Sequence, residues 1–201
     1  MPFPDRFYPI VDSVAWIERL AKLGVGTIQL RAKGLTHENA VALVREAQAA
    51  AVGTKAKLVV NDYWRAAIEA GAQHVHLGQE DLADADVAAI RRAGLSLGLS
   101  THDDAELENA LRAGPDYLAL GPIFPTTLKA MRFAPQGVAK ITEWKRRAGR
   151  VPLVAIGGIK LEQAAAIYEA GADSIAVVSD VTQNADPEGR VRAWLREAAR
   201  A

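Results

Sequence analysis

The stretch Leu23-Gly-Val-Gly-Thr-Ile-Gln-Leu30 decides the fold, because related octets recur three more times along the chain. They are Ala-Gly-Ala-Gln-His-Val-His-Leu at 70–77, Ala-Gly-Pro-Asp-Tyr-Leu-Ala-Leu at 113–120 and Ala-Gly-Ala-Asp-Ser-Ile-Ala-Val at 170–177. Each octet has a glycine suited to the left-handed residue that ends a helix, and a strand-like run follows three residues later. The repeat therefore predicts four equivalent junctions between a helix and a strand.

Eight short runs rich in β-branched and aliphatic residues alternate with segments that carry apolar residues at helical spacing. The strand candidates are Phe7–Val11, Thr27–Arg31, Leu58–Asn61, His74–Leu77, Ser96–Ser100, Tyr117–Leu120, Leu153–Ile156 and Ser174–Val178. The helical segments begin near Ser13, Thr36, Tyr63, Asp84, Asp103, Val138, Leu161 and Pro187. This alternation is typical of parallel β/α units, and eight units predict an α/β fold closed as a (β/α)8 TIM barrel.

A doubly wound open sheet is the alternative fold. The octets fall on every second strand, and an open sheet does not require that recurrence. A chain of 201 residues is near the lower limit for an eight-fold barrel, which leaves no room for a second domain. We therefore predict a single TIM-barrel catalytic domain over residues 1–201.

The composition excludes several partners and chemistries. Lys plus Arg and Asp plus Glu number 24 each, so no overall field favours nucleic acid or an anionic membrane, and any anion site must be local. The chain has no cysteine, which excludes disulfides, thiolate metal sites and a cysteine nucleophile. The N-terminal residues Met-Pro-Phe-Pro-Asp-Arg contain no apolar signal core, and we expect a cytoplasmic protein.

The second predicted strand ends in polar side chains. In a TIM barrel the chemistry takes place at the carboxyl ends of the strands. With a period of two residues, Gln29, Arg31 and Lys33 share one face of the chain, which places an amide and two cations together. A solvated strand end is the alternative interpretation.

The third and fourth strands are followed by acidic residues. Asp62 follows Leu58–Asn61, and Asp81 lies four residues after Leu77. Either residue has a plain alternative, since Asp62 could cap the helix near Tyr63 and Asp81 could lie in a polar turn. Two carboxylates at adjacent strand ends beside cations nevertheless suit a diphosphate bound with Mg²⁺, which takes one or two protein carboxylates.

Later strand ends supply candidates for a phosphate site. The fifth strand leads to Ser100 and His102, and the seventh ends before Gly157-Gly158. Paired glycines at a helix N-terminus let backbone N–H groups approach a phosphate. Val178-Ser179 follows the eighth strand, and the loops after strands seven and eight are the recurrent phosphate site of this fold.

The loop from Gly121 to Gly137 contains three prolines, which forbid a regular helix or central strand through it. It also carries the anion-binding candidates Thr126, Thr127, Lys129 and Arg132. Connections of this length are usually lids or binding loops. The alternative is a surface excursion with incidental charges.

These motifs, in this order, resemble the series found in the thiamine phosphate synthase family. They are Gln29-Leu-Arg-Ala-Lys33, Asn61-Asp62, His76-Leu-Gly-Gln-Glu-Asp81, Ser100-Thr-His102, Gly121-Pro-Ile-Phe-Pro-Thr126 with Lys129, Gly157-Gly158-Ile159 and Val178-Ser179. The resemblance covers nearly the whole chain. It implies a transferase that joins 4-amino-2-methyl-5-pyrimidinylmethyl diphosphate to a thiazole phosphate, forming thiamine phosphate and releasing diphosphate.

The resemblance also implies roles for individual residues. The pyrimidine diphosphate would be bound by Gln29, Arg31, Lys33, Asn61, Ser100 and Lys129, of which Arg31, Lys33, Ser100 and Lys129 would be catalytic. Mg²⁺ would be held by Asp62 and Asp81. The thiazole phosphate would be bound by Thr126, Thr127, Gly158, Val178 and Ser179.

Two positions depart from the family pattern. Leu128 stands where the family usually has a second threonine, which removes one hydroxyl contact to the thiazole phosphate. Tyr63 stands where an arginine commonly follows Asn-Asp. Neither position belongs to the expected metal pair.

Two other functions are compatible with the sequence. A related thiazole tautomerase on the same barrel uses a histidine in the Ser-x-His stretch, here His102, but does not need a pyrimidine diphosphate site. A catalytically silent paralogue that only binds thiamine precursors is the other, and Leu128 is the hint for it. The region around Met131, Phe133 and Trp144 is a candidate surface for a homo-oligomer, and His37 and His74 are expected to be structural or surface residues.

Overall fold

The computed structural model describes residues 3–126 and 133–200. Within these ranges the strands are β1 (Phe7–Val11), β2 (Thr27–Leu30), β3 (Lys57–Asn61), β4 (His74–Leu77), β5 (Ser96–Thr101), β6 (Tyr117–Leu120), β7 (Leu153–Ile156) and β8 (Ser174–Val177). Each strand pairs in parallel with the next, and β8 pairs with β1, so the sheet closes into a barrel. The predicted TIM barrel is confirmed, and the open sheet is excluded.

Helices cover the outside of the barrel. Those in the described ranges are α1 (Val14–Lys22), α2 (His37–Ala51), α3 (Trp64–Glu69), α4 (Gln79–Ala83), α5 (Val87–Arg92), α6 (Asp104–Arg112), α7 (Val138–Ala148), α8 (Ala164–Glu169), α9 (Ser179–Thr182) and α10 (Pro187–Arg200), with a 3₁₀ turn at Leu161–Gln163. Polar caps fix several starts. Thr36 accepts a hydrogen bond from the Asn39 amide, and Asp103 accepts one from the Glu106 amide.

The four octet glycines end helices in the predicted conformation. Their φ angles are 84° at Gly24, 68° at Gly71, 65° at Gly114 and 106° at Gly171. After α3, for example, Gly71 donates to the Ile68 carbonyl, and the octets return the chain to a strand three residues later. The left-handed conformation destabilises a residue that has a Cβ by roughly 1–2 kcal/mol. Glycine has no Cβ and is therefore the residue that fits at these junctions.

Among the described residues, buried apolar side chains form three clusters, the smallest of which contains Ala40 and Val41 of α2 and Ala66 of α3. The larger core lies between the strands and the helices and includes Ile28, Leu77 and Leu99. A smaller core fills the inside of the barrel, from Tyr8, Ile10, Val59, Tyr117, Ala119, Val154 and Ala176. Several residues of this inside core also line a cavity at the carboxyl ends of the strands, where polar side chains follow.

The structure differs from the sequence prediction at α4 and α5. One helix was expected near Asp84, but α4 begins at Gln79 and ends with Asp84 as its C-cap, while α5 is capped by Asp86. The helix α9 was not expected. Both α4 and α9 are single short turns directly after a strand, and too short to show a helical period.

The prediction that Trp144 contributes to an oligomer surface is wrong. This side chain is fully buried under α7, and its indole N–H donates to the Thr101 hydroxyl at 3.0 Å. Phe133 stacks on His102, and Met131 lies outside the described residues. Self-association therefore stays a prediction without a defined surface. No helix in the described part of the chain combines the length and apolar character needed to cross a membrane.

Candidate active site

A cavity of about 270 Å³ opens at the carboxyl ends of the strands. It is lined by Tyr8, Ile10, Gln29, Arg31, Asn61, His76, Ser100, His102, Ala119, Gly121, Pro122, Thr126, Val154, Ile156, Gly157, Gly158, Ile159, Ala176, Val177, Val178 and Ser179. Eight predicted site residues are among them: Gln29, Arg31, Asn61, Ser100, Thr126, Gly158, Val178 and Ser179. Lys33, Asp62 and Asp81 are not among the lining residues, although Asp62 follows the lining residue Asn61 in the chain and Lys33 approaches Asp62. Thr127 and Lys129, with Leu128 and Arg132, lie outside the described residues.

Asp62 has an unusual backbone conformation. Its φ angle is 64°, in the left-handed region, and it is the only described non-glycine residue with a positive φ. Its amide donates to the His76 carbonyl at 2.9 Å, which ties it to β4. Tyr63, rather than Asp62, is the N-cap of α3, so the simple capping interpretation of Asp62 is wrong. A strained, well-held carboxylate at a strand end is typical of a functional position.

Asp81 brings a second carboxylate to the same place. It lies in the first turn of α4, so it is not a plain turn residue, and its carboxylate is close enough to that of Asp62 to raise the pKa of Asp62. The pKa of Asp62 is raised to about 6, chiefly by burial and then by the charge of Asp81, while Lys33 and Arg31 lower it. Two neighbouring carboxylates form a place that a divalent cation would stabilise.

The donor set fits Mg²⁺. The described residues contain no cluster of three or more His, Asp and Glu side chains arranged for a metal. Asp62 and Asp81 are two neighbouring carboxylates, and Mg²⁺ characteristically takes one or two protein carboxylates and completes its shell with water and phosphate oxygens. Lys33 Nζ lies 3.9 Å from Asp62 Oδ2, and Arg31 lines the cavity beside it.

A chain of hydrogen bonds forms the floor of the cavity. Gln29 Nε2 donates to the Tyr8 hydroxyl at 2.8 Å, and this hydroxyl lies 2.9 Å from that of Tyr117. The Tyr117 hydroxyl lies 2.9 Å from His76 Nδ1, and His76 Nε2 lies 2.8 Å from Ser100 Oγ. Each of these contacts is a hydrogen bond if Gln29 donates to Tyr8, Tyr8 to Tyr117, Tyr117 to His76, and His76 to Ser100. In that arrangement the hydroxyl proton of Ser100 is left free to point into the cavity.

Three members of this floor were missed by the sequence analysis, namely Tyr8, His76 and Tyr117. Tyr8 and Tyr117 meet only because the barrel closes, since 109 positions separate them. One signal was available in Gly98, an isolated glycine inside a strand. A Cβ on Gly98 would lie 2.0 Å from the Tyr117 ring, so this glycine makes room for the tyrosine.

Asn61 is also poised towards the cavity. Asn61 is 6% exposed. Its side-chain Nδ2 is a buried donor with no hydrogen-bond partner within the described ranges. An unpaired buried donor is costly unless something else binds it. The side chain therefore indicates a ligand that supplies an acceptor.

The Gly157-Gly158 turn forms the opposite side of the cavity. Both glycines have positive φ angles, 99° and 68°, and the loop after β6 packs directly on them. A Cβ on Gly158 would lie 2.4 Å from the Pro125 carbonyl oxygen, and one on Gly157 would lie 2.7 Å from Pro122 Cα. The paired glycines therefore hold two loops together as well as bringing backbone close to a ligand.

His102 lies at the mouth of the cavity with its own carboxylate partner. Its Nδ1 is 2.7 Å from Glu106 Oε2, and its ring stacks on Phe133 with 4.7 Å between centroids. The Gln136 amide donates to the His102 carbonyl at 2.9 Å. These contacts tie the start of α6 to the end of the long loop. The two other histidines that the sequence analysis set aside are structural, since His37 pairs with Glu69 and His74 stacks on Phe3.

The polar groups of the cavity come from the carboxyl ends of strands and from the loops that follow them, which places the molecule in the class of TIM-barrel enzymes. The chain belongs to the thiamine monophosphate synthase family, whose model matches residues 7–181.

Individual relatives agree with this family. The chain is 57% identical to a thiamine-phosphate synthase of Rhizobium etli over 97% of this chain and 96% of the relative. It is 49% identical to one of Neisseria meningitidis serogroup B over 95% and 93%. Among solved structures, thiamine phosphate pyrophosphorylase from Pyrococcus furiosus superposes with a TM-score of 0.85 at 25% identity, covering 97% of this chain and 96% of that one.

Proposed function

We propose that this protein is a thiamine phosphate synthase. It condenses 4-amino-2-methyl-5-pyrimidinylmethyl diphosphate with a thiazole phosphate to form thiamine phosphate and diphosphate. Where the carboxylate tautomer is the acceptor, its carboxyl group also leaves, as CO2. The observation that carries the proposal is the two-sided cavity. Arg31 lines the cavity, and Asp62, with Lys33 and Asp81 near it, follows β3, which lies across the closed barrel from the Gly157-Gly158 turn after β7.

The acidic side is proposed to bind the diphosphate. Asp62 and Asp81 hold Mg²⁺, which neutralises charge on the leaving diphosphate when bound. Arg31 and Lys33, together with Lys129 of the long loop, are proposed to contact the diphosphate oxygens. A guanidinium and ammonium groups suit this role because their charge-assisted hydrogen bonds to phosphate are strong.

The polar floor is proposed to bind the pyrimidine ring. Gln29, Asn61 and Ser100 offer amide and hydroxyl groups to the ring nitrogens and the amino group. The neutral state of the floor matters here. Burial lowers the pKa of His76 to about 4 and raises the pKa values of Tyr8 and Tyr117, so none of the three carries charge near pH 7.

The glycine-lined side is proposed to bind the thiazole phosphate. Gly158, Val178 and Ser179 lie after β7 and β8, the usual phosphate position of a TIM barrel. Thr126 lines the same cavity, and Thr127 follows it in the chain. Anchoring the phosphate there directs the thiazole nitrogen towards the pyrimidine methylene.

The proposed reaction forms one C–N bond and breaks one C–O bond. The thiazole nitrogen supplies an electron pair to the methylene carbon, and the diphosphate oxygen leaves with the pair from the broken bond. Arg31, Lys33 and Lys129 stabilise the negative charge as it grows on the leaving group. The neutral floor does not oppose the positive charge on the methylene, and anchoring both substrates aligns the reacting atoms.

Partners and location are proposed on the same basis. Phosphorylated small molecules are the partners, in place of nucleic acid or membrane, because positive and negative side chains balance. The cytoplasm is the proposed location. A homo-oligomer remains compatible with the chain.

A thiazole tautomerase is the second candidate, and the contact between His102 and Glu106 favours it. With Nδ1 bound to the carboxylate, Nε2 of His102 is left to accept or donate a proton at the cavity mouth. This chemistry does not explain the Asp62–Asp81 pair or the polar floor.

One assay separates the two candidates. Purified protein is supplied with both substrates and Mg²⁺, with each component omitted in turn, and diphosphate and thiamine phosphate are quantified. A synthase requires all three components. Thiazole isomerisation without pyrimidine or metal, and without diphosphate release, would contradict the proposal.

A further inference from the structure

One arginine joins the two loops at the glycine-lined side of the cavity. Arg190 of α10 donates from Nε and Nη2 to the two carboxylate oxygens of Asp180, at 2.8 and 2.9 Å. It also donates from Nη1 and Nη2 to the two oxygens of Glu162, at 2.7 and 2.9 Å. Four charge-assisted hydrogen bonds thus converge on a single guanidinium.

The two carboxylates belong to different cavity loops. Glu162 lies in the 3₁₀ turn that follows Gly157-Gly158, and Asp180 comes directly after Ser179 in α9. Gly158 and Ser179 both line the cavity, whereas Arg190 itself does not. The guanidinium therefore connects the loop after β7 to the loop after β8 without itself lining the cavity.

The arrangement is rigid on the Asp180 side. The Asp180 side chain is 7% exposed and accepts a third hydrogen bond, from the Trp194 indole N–H at 2.7 Å. Trp194 is fully buried and stacks on Phe7 of β1 with an interplanar angle of 5°. A carboxylate held by three bonds next to a buried ring has little freedom to move, so the loop that contains it is anchored to the barrel.

The neighbouring arginine of α10 lacks these contacts. Arg192 pairs with Glu188 one turn earlier in the same helix, at 3.2 Å, and more than half of its side chain is exposed. This pair joins no loops, and exposed pairs of this kind contribute little to stability. Arg192 is therefore a matched control on the same helix.

We propose that Arg190 is a positioning residue that, with Glu162 and Asp180, sets the separation of the two loops that bind a phosphate monoester. The inference deepens the function proposed above, because the monoester is assigned there to the thiazole substrate. Backbone donors on two loops bind one phosphate well only while their spacing is held, and small displacements of positioning groups are costly.

The test compares Arg190→Met, Glu162→Gln and Arg192→Met with the wild type. Steady-state kinetics give KM for each substrate, and calorimetry without Mg²⁺ gives Kd for inorganic phosphate as a probe. Arg190→Met is expected to raise the thiazole phosphate KM and the phosphate Kd by about tenfold or more, with the pyrimidine KM changed less than about threefold. Arg192→Met is expected to behave as wild type.

Glu162→Gln is a second variant that controls for loss of stability in Arg190→Met. Arg190→Met leaves Asp180 without its ionic partner and can destabilise the chain, whereas Glu162 is two-thirds exposed and its replacement keeps the Asp180 contacts. We expect Glu162→Gln to raise the same two constants by about threefold, with a melting temperature close to that of the wild type.

The outcomes separate this inference from the proposed function. Unchanged phosphate Kd and thiazole KM in both Arg190→Met and Glu162→Gln would overturn the positioning role, as would equal KM increases for both substrates. A wild type that binds no phosphate would also overturn it. A wild type that makes no thiamine phosphate, yet binds phosphate more weakly after Arg190→Met, would sink the synthase assignment and support the positioning role.

Discussion

At the scale of single residues, Asp62 combines an uncommon backbone conformation with an unfavourable neighbour. Its left-handed φ of 64° costs on the order of 1–3 kcal/mol for a non-glycine residue. Its carboxylate also contacts that of Asp81 in a partly buried position. The fold tolerates both features at the same residue, which is the pattern expected when a cation compensates for them in the working enzyme.

Because the two neighbouring carboxylates repel each other, removing one charge should raise the stability of the metal-free protein and lower its activity. Asp62→Asn keeps the side-chain shape and tolerates the left-handed backbone, but it removes one of the two contacting charges. We expect turnover to fall by on the order of a hundredfold or more, while the metal-free protein melts about 2–4 °C higher. Asp84→Asn, on the exposed C-cap of α4, is the control for calorimetry and kinetics. Near wild-type turnover at limiting Mg²⁺ would remove Asp62 from the metal site.

His76 predicts how stability depends on pH. Its pKa is lowered to about 4 by burial, and an unfolded histidine titrates near about 6.5. Between these values the unfolded state binds more protons, so the free energy of unfolding falls as the pH decreases, by about 3 kcal/mol over the window. Urea unfolding across this range should give a shallower pH slope for His76→Gln than for the wild type. Identical slopes would show that His76 is not held neutral.

Leu128 is one of the two residues at which the chain departs from the motif pattern that it otherwise resembles. If backbone donors anchor the thiazole phosphate, the missing threonine hydroxyl removes one hydrogen bond among several, worth about 0.5–1.5 kcal/mol. We expect Leu128→Thr to change kcat/KM for the thiazole phosphate by no more than about tenfold. An inactive wild type that Leu128→Thr restores by orders of magnitude would instead identify a silent paralogue.

At the scale of structural elements, the contact between the loops after β6 and β7 depends on missing side chains. Gly158 and Gly114 have nearly the same φ, 68° and 65°. A Cβ on Gly158 would meet the Pro125 carbonyl oxygen at 2.4 Å, whereas one on Gly114 would have nothing within 4 Å. A substitution at Gly114 therefore tests the cost of the left-handed backbone alone, whereas one at Gly158 tests that cost together with the close packing of the two loops.

Alanine at each position should have a different effect. Gly114→Ala is expected to cost roughly 1–2 kcal/mol of stability for the left-handed backbone alone and to leave the kinetics unchanged. Gly158→Ala should force the two loops apart and raise KM for the thiazole phosphate by about tenfold or more. Denaturation and steady-state assays on both variants check this. Equal kinetic effects would mean that loop contact is irrelevant to the site.

At the scale of the whole molecule, the fold could be predicted because local signals agreed with each other. The glycines of the four octets have the left-handed backbone that the sequence demanded, and the strand bounds differ from the prediction by one residue at most. The position of several predicted site residues at the cavity could be predicted for the same reason. Gln29, Arg31 and Ser100 need only the strand period and the rule that chemistry lies at the carboxyl ends.

What escaped prediction depends on contacts across the closed barrel. The Tyr8–Tyr117 hydrogen bond and the joint between Arg190, Glu162 and Asp180 connect residues distant in sequence, and no local period reveals them. The contact between Asp62 and Asp81 was expected from neighbouring strands, but the left-handed conformation of Asp62 was not. The bond between the Asp62 amide and the His76 carbonyl accompanies that conformation, and it joins two strands that no local pattern shows to be paired.

The central claim is that the two sides of the cavity bind different phosphate groups and that only the acidic side uses the metal. Calorimetric binding of each substrate alone, with and without Mg²⁺, tests it most directly. We predict that Mg²⁺ tightens binding of the pyrimidine diphosphate by about tenfold or more, that Asp62→Asn abolishes this effect, and that binding of the thiazole phosphate does not respond to Mg²⁺. An equal response of both substrates, or a Mg²⁺ effect that survives Asp62→Asn, would contradict the account.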